Sequence, residues 1–156
     1  MLRETLFVFA ALAVLASATE VQPCENGAPL VTDGVQITVS GCDKPTCLLR
    51  QGTTINIQAK FTPERAIQSL VNDVSALLFN VPLPFVGVDG TNACENIYNA
   101  EGSKTGCPMQ PGVEYTYKNS FDVLPIYPRV ALTVRYALRE GNDRIICFEL
   151  PSKITK

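Results

Sequence analysis

Residues 130–150, Val-Ala-Leu-Thr-Val-Arg-Tyr-Ala-Leu-Arg-Glu-Gly-Asn-Asp-Arg-Ile-Ile-Cys-Phe-Glu-Leu, carry the pattern that decides the fold. Val130, Leu132, Val134, Tyr136 and Leu138 recur at every second position, which places them on one face of an extended strand. Glu140-Gly141-Asn142-Asp143 supplies a turn, and a last strand follows around Ile145 to Leu150. The two strands are predicted to form a hairpin. The same alternation runs upstream. Val35, Ile37 and Val39 alternate with Gln36, Thr38 and Ser40, and Ile55, Ile57, Ala59 and Phe61 with Asn56, Gln58 and Lys60. Val113, Tyr115 and Tyr117 alternate with Glu114, Thr116 and Lys118. Many strands with one wet face predict an all-β protein, an antiparallel sandwich of two sheets with their apolar faces together.

One stretch departs from the pattern. From Thr62-Pro63 to Phe79, Ile67, Leu70, Val71, Val74, Leu77 and Leu78 fall at helical spacing. Thr62 suits a helix cap and Pro63 a first turn, so these residues taken alone predict an amphipathic helix. Val81-Pro82-Leu83-Pro84-Phe85 must be extended, because each proline disfavours helix at the residue before it.

The chain has 156 residues, 46% of them hydrophobic, which fits one domain with a substantial core. Residues 1–18 read as a secretory leader: Arg3, an apolar run from Leu6 to Leu15, then Ala16-Ser17-Ala18 for the peptidase. The domain proper is expected to span residues 19–156, in a protein that is secreted or extracellular, or in the endosome-lysosome lumen. Export makes the six cysteines disulfide candidates. Spacing alone does not choose among the pairings but ranks them. Cys42 and Cys47 flank a turn containing Pro45, Cys94 and Cys107 bracket a polar loop, and Cys24 with Cys147 would then tie the start of the domain to its last strand. A zinc site is the rival reading, disfavoured by the missing histidine and the missing Cys-x-x-Cys.

Catalysis finds little support. The chain contains no histidine, which removes the commonest general base and metal ligand. Phosphate-binding glycine motifs are absent, and six paired cysteines leave no thiol nucleophile. No enzyme activity, cofactor or metal is expected. A net charge of −2, with scattered Lys and Arg, also argues against a nucleic-acid partner. What remains is an apolar, aromatic interior beside a proline-fixed segment, and hydrophobicity alone does not separate a filled core from a lipid site.

An ordered set of short motifs goes further. Gly41-Cys42-Asp43-Lys44-Pro45-Thr46-Cys47 is followed by Leu48-Leu49-Arg50-Gln51-Gly52, Phe61-Thr62-Pro63, Val81 to Phe85, Cys94 and Cys107-Pro108. Gly112, Tyr115, Tyr117, Tyr127-Pro128, Tyr136-Ala137-Leu138 and Cys147-Phe148-Glu149-Leu150-Pro151 complete it. In this the chain resembles the Niemann-Pick type C-2 family, the sterol-carrier branch of the ML lipid-recognition domains, which has arthropod members. The resemblance implies an immunoglobulin-like β-sandwich of about seven strands with a hydrophobic cavity between the sheets. It implies the disulfide pairing ranked first by spacing, and a largely extended chain over Ile67 to Phe79. By matching position it implies a pocket lined by Val39, Leu77, Leu83, Phe85, Val123, Tyr127, Pro128 and Tyr136, with Phe85 and Tyr127 near the entrance and Tyr136 deeper. Tyr136 stands where mammalian members carry tryptophan.

The expected function is therefore secreted binding and transfer of a hydrophobic ligand, a sterol or fatty acid, with a membrane surface or lipid-acceptor protein as partner. Recognition of bacterial lipids, with Lys118, Arg129 and Lys44 at the rim, and chemosensory carriage of small hydrophobic signals are the alternatives. No polar anchor for the ligand is evident in the sequence, so selectivity is expected to come from pocket shape.

Overall fold

The computed structural model describes residues 18–25 and 34–156. The leader expected over residues 1–18 lies outside the described residues except for Ala18. Among the described residues there are ten strand segments: β1 (Gln22–Pro23), β2 (Gln36–Val39), β3 (Cys47–Arg50), β4 (Thr54–Phe61), β5 (Val71–Leu78), β6 (Val81–Pro84), β7 (Ile97–Asn99), β8 (Tyr115–Asp122), β9 (Ala131–Glu140) and β10 (Asp143–Thr155). One sheet runs in the order β1-β10-β9-β5-β6, with β3 added to the same edge of β10 as β1; the other runs β2-β4-β8-β7. All pairings are antiparallel except β3 with β10. This is the expected all-β sandwich, and the hairpin of β9 and β10 is its longest ladder.

Alternation explains the strands. In β4, Ile55, Ile57, Ala59 and Phe61 are buried while Thr54, Asn56 and Lys60 face water. In β9, Val134, Tyr136 and Leu138 turn inward, opposite Leu150, Phe148 and Ile146 of β10. Ala137 is buried too, but on the outer face, beneath the Cys24–Cys147 disulfide.

The disulfides are Cys24–Cys147, Cys42–Cys47 and Cys94–Cys107. They account for all six cysteines, so the zinc reading has no ligands left. The first bridge closes a loop with a sequence separation of 123 and constrains the unfolded chain most, by about 5 kcal/mol in the chain-entropy account.

The helix read from the spacing of residues 62–79 is not formed. Ile67 exchanges backbone hydrogen bonds with Met109, at 3.1 and 2.9 Å, and β5 begins at Val71. Tertiary partners win over local periodicity here. The Glu140 carboxylate, at the β9 end of the hairpin, accepts the backbone N–H of Gln68 at 2.6 Å and pairs with Arg65. Those contacts, the Arg65 bond foremost, hold its pKa below the usual carboxylate range. β9 lines one edge of β5 from Val71 to Leu77; the other edge is met by β6 from Ser75, and before it the Thr91 carbonyl and the Asp89 carboxylate accept the N–H groups of Asn72 and Val74. The alternation was hidden because Asn72, although polar, points inward, while Val71 and Leu77 belong to the outward set.

Candidate functional site

Two arrangements fill the space between the sheets. The first is a polar belt across its middle. Tyr117 of β8 reaches over to Tyr136 of β9, with 2.6 Å between the hydroxyl oxygens. Tyr117 donates to Asn72 Oδ1 on β5 at 2.5 Å and accepts from Asn119 Nδ2 at 2.8 Å. Asn72 donates onward to Thr91 Oγ1 at 2.9 Å. Donor accounting fixes the directions. A carbonyl oxygen only accepts, so the single Tyr117 proton goes to Asn72, and the Tyr136 hydroxyl must donate to Tyr117. The Tyr117 oxygen is thereby saturated, whereas Tyr136 keeps acceptor capacity.

Burial is the main reason both phenols resist ionisation. It pushes Tyr117 far above the ordinary tyrosine value, with the neighbouring Tyr136 adding to the shift. Tyr136 is raised to about 12, burial outweighing the opposing hydrogen bonds from Tyr117 and Asn119. Both stay neutral, so the belt is a set of fixed dipoles and supplies no base. Phe148 stacks on Tyr136 with ring centroids 5.6 Å apart.

The second arrangement is an aromatic cluster. Phe85 follows the proline-fixed β6 and is anchored where its backbone N–H donates to the Val74 carbonyl at 3.0 Å. Its ring lies 5.0 Å from that of Phe121 on β8 and meets Tyr127 edge-on at 5.9 Å. Tyr127 sits in the loop between β8 and β9. Gln51 pins that loop, its side-chain amide donating to the carbonyls of Pro125 at 3.1 Å and Tyr127 at 2.7 Å.

Val39, Phe85, Val123 and Tyr136 belong to the main core cluster, with Tyr127 packed against it. Leu83 pairs with Ala76, on the inward set of β5, but is 48% exposed at the sheet edge. Pro128 is exposed beside Tyr127. Leu77 lies apart: it pairs with Thr133 on the outward set and borders a groove of about 490 Å3 on the outer face, with Phe79, Thr133 and Glu149. That groove is largely polar, lined also by Gln22, Glu25 and Asn80, and its Glu149 is ion-paired to Arg135 across the strands at 2.8 Å, so it is poorly suited to a hydrocarbon. Lys118 also faces outward, with its ammonium 4.9 Å from the centre of the Tyr98 ring. It is not at the rim of the interior.

Sequence reading missed Phe121, Asn72 and Asn119. Phe121 was available, since Tyr115, Tyr117, Asn119 and Phe121 continue one alternating set on β8. The two asparagines gave no such signal, because inward-facing amides break the apolar rhythm and find their partners only across the sheets. The belt also corrects the expectation that the interior offers the ligand no polar group.

A two-sheet β-sandwich stapled by three disulfides, with an aromatic cluster and a neutral polar belt between the sheets, has the build of a lipid-recognition domain. The chain belongs to the ML domain family, which matches residues 18–154. It is 30% identical over 158 residues to the Drosophila melanogaster protein named NPC intracellular cholesterol transporter 2 homolog a, covering 99% of each chain. It is 24% identical over 152 residues to Bos taurus NPC intracellular cholesterol transporter 2, covering 96% of this chain and 93% of the bovine one. Its fold superposes on the crystal structure of a Niemann-Pick type C2 protein from Japanese carpenter ant with a TM-score of 0.70, at 25% identity, over 87% of this chain and 99% of the ant protein. Family membership places the chain among lipid-binding proteins that are not enzymes.

Proposed function

We propose that this protein is a secreted carrier that takes up a sterol or a similar lipid between its sheets, at the end occupied by Phe85, Phe121 and Tyr127. The observation that carries the reading is this cluster itself. Three aromatic rings meet where an exposed edge strand, β6, and a pinned loop border the interior, and their faces offer apolar surface to a hydrocarbon. Val39, Val123 and Leu83 extend that surface, and Tyr136 bounds it toward the belt. Leu77 and Pro128 are assigned no direct contact. The fly and bovine relatives are both named as cholesterol transporters, which favours a sterol.

Burial of roughly 400 Å2 of ligand surface, at about 25 cal/mol per Å2, is worth on the order of 10 kcal/mol. Ordering costs several kcal/mol of that, which leaves affinity in the range of micromolar to tens of micromolar. Entry requires the β5–β6 edge to part from the β8–β9 loop, and release hands the lipid to a membrane or an acceptor protein. Residues 1–18 act as the leader, and three disulfides suit the oxidising compartment it would reach.

Native mass spectrometry of the secreted protein, with solvent extraction, tests the reading. A co-purifying sterol or fatty acid, or stoichiometric uptake of a fluorescent sterol, is expected. An empty protein that takes up neither class would overturn it, and selective retention of a bacterial glycolipid would replace it with the recognition alternative.

A further inference from the structure

Tyr127 carries a polar atom that the fold leaves without a partner. Its ring packs edge-on against Phe85, and its hydroxyl oxygen is fully enclosed, yet it hydrogen-bonds to none of the described residues. The contrast with the belt is sharp. The hydroxyls of Tyr117 and Tyr136 and the amide of Asn72 are all paired. A phenylalanine at 127 would give Phe85 the same ring without burying an unpaired hydroxyl, so packing alone does not account for the tyrosine. Nor is the residue loosely held. Its backbone N–H donates to the Leu124 carbonyl at 3.0 Å and its carbonyl accepts from Gln51.

We infer that the Tyr127 hydroxyl is the polar anchor of the bound lipid, so that the protein selects lipids with an oxygen function over hydrocarbons of the same shape. The inference rests on the carrier reading above and adds to it a class of ligand and the group that recognises it. A free hydroxyl both donates and accepts, so Tyr127 serves an alcohol, a ketone or a carboxyl group. Tyr136 does not substitute for it: its proton is committed to Tyr117, and it meets only a donor. The anchor lies at the Phe85 end, so the ligand's oxygen stands beside Phe85 and Tyr127 and its hydrocarbon extends toward Tyr136.

The test is a two-by-two comparison of the natural protein and Tyr127→Phe, each titrated with cholesterol and with 5-cholestene, which lacks only the hydroxyl. Displacement of a fluorescent apolar probe reports affinity. Tyr127→Phe should weaken cholesterol binding roughly tenfold and leave 5-cholestene unchanged within about twofold, because only the first pair loses a hydrogen bond and strands a buried oxygen. The ligand-free variant should unfold at the same temperature as the natural protein or a few degrees higher, since it no longer buries an unpaired hydroxyl. Equal loss for both sterols, or a ligand-free variant melting several degrees lower, would overturn the anchor while leaving the carrier intact. Uptake of neither sterol by the natural protein would overturn both.

Discussion

Replacing Tyr117 with phenylalanine removes one oxygen and strands the groups that depend on it. Asn72 Oδ1 loses its donor, and the Tyr136 hydroxyl and the Asn119 amide lose their acceptor. Each bond contributes about 0.5–1.5 kcal/mol net, and a buried group left unpaired costs about 1–3 kcal/mol, so relaxation included the loss should be about 2–4 kcal/mol. Tyr136→Phe removes a single bond and strands no donor, because Tyr117 still accepts from Asn119; its cost should be about 1 kcal/mol. Urea unfolding with the disulfides intact measures both. With a slope of about 2 kcal/mol per M, Tyr117→Phe should lower the midpoint by about 1–2 M and Tyr136→Phe by about 0.5 M, with circular dichroism confirming that both variants fold. A Tyr117→Phe midpoint at or above that of Tyr136→Phe would refute the donor accounting that makes Tyr117 the hub.

Three further outcomes are expected. In thermal unfolding, Cys24→Ser with Cys147→Ser should cost about 5 kcal/mol, against about 2 kcal/mol for Cys42→Ser with Cys47→Ser, because the first bridge closes the far longer loop; equal losses would contradict the loop argument. The folded protein keeps Tyr117 and Tyr136 protonated past the value of 10.0 for an unperturbed tyrosine. It therefore binds more protons than the unfolded chain above about pH 10, and the contribution of these two groups to stability should be constant below that pH, then fall as pH rises toward and past 12. Absorbance at alkaline pH should show Tyr117 and Tyr136 ionising only on unfolding, and ionisation of these two phenols in the folded protein near pH 10 would refute their burial. Finally, Phe85→Ala should weaken sterol uptake at least tenfold and Leu77→Thr less than twofold, measured by fluorescent-sterol titration, since Leu77 faces the outer groove; comparable losses would place the ligand elsewhere.

Much of the architecture was legible before any coordinates. Alternation at Ile55 to Phe61 and at Val130 to Leu138 is a local property, since neighbouring side chains on a strand point to opposite faces whatever the strand pairs with. The ordering of the cysteines was equally local in origin, because short spacings favour the Cys42–Cys47 and Cys94–Cys107 bridges and leave the third by remainder. The site was legible only in part. Phe85, Tyr127 and Tyr136 follow from the motif resemblance, but which face Leu77 occupies depends on the register of β5 against β9, and a shift of one residue would exchange every side chain between interior and solvent.

The sequence by itself determined the alternating strands over 55–61 and 130–150, the turn between the last two strands, the ranking of the cysteine pairs and the absence of histidine, because each of these depends on residue identity and short-range spacing. Tertiary structure decided that residues 71–78 are a strand, that Asn72 points inward, and that Tyr117 rather than Tyr136 is the hub of the belt. It also decided that the Tyr127 hydroxyl is enclosed without a partner. These features depend on groups 19 to 68 residues apart in the chain meeting within and across the sheets, and no local pattern records which of them will face each other.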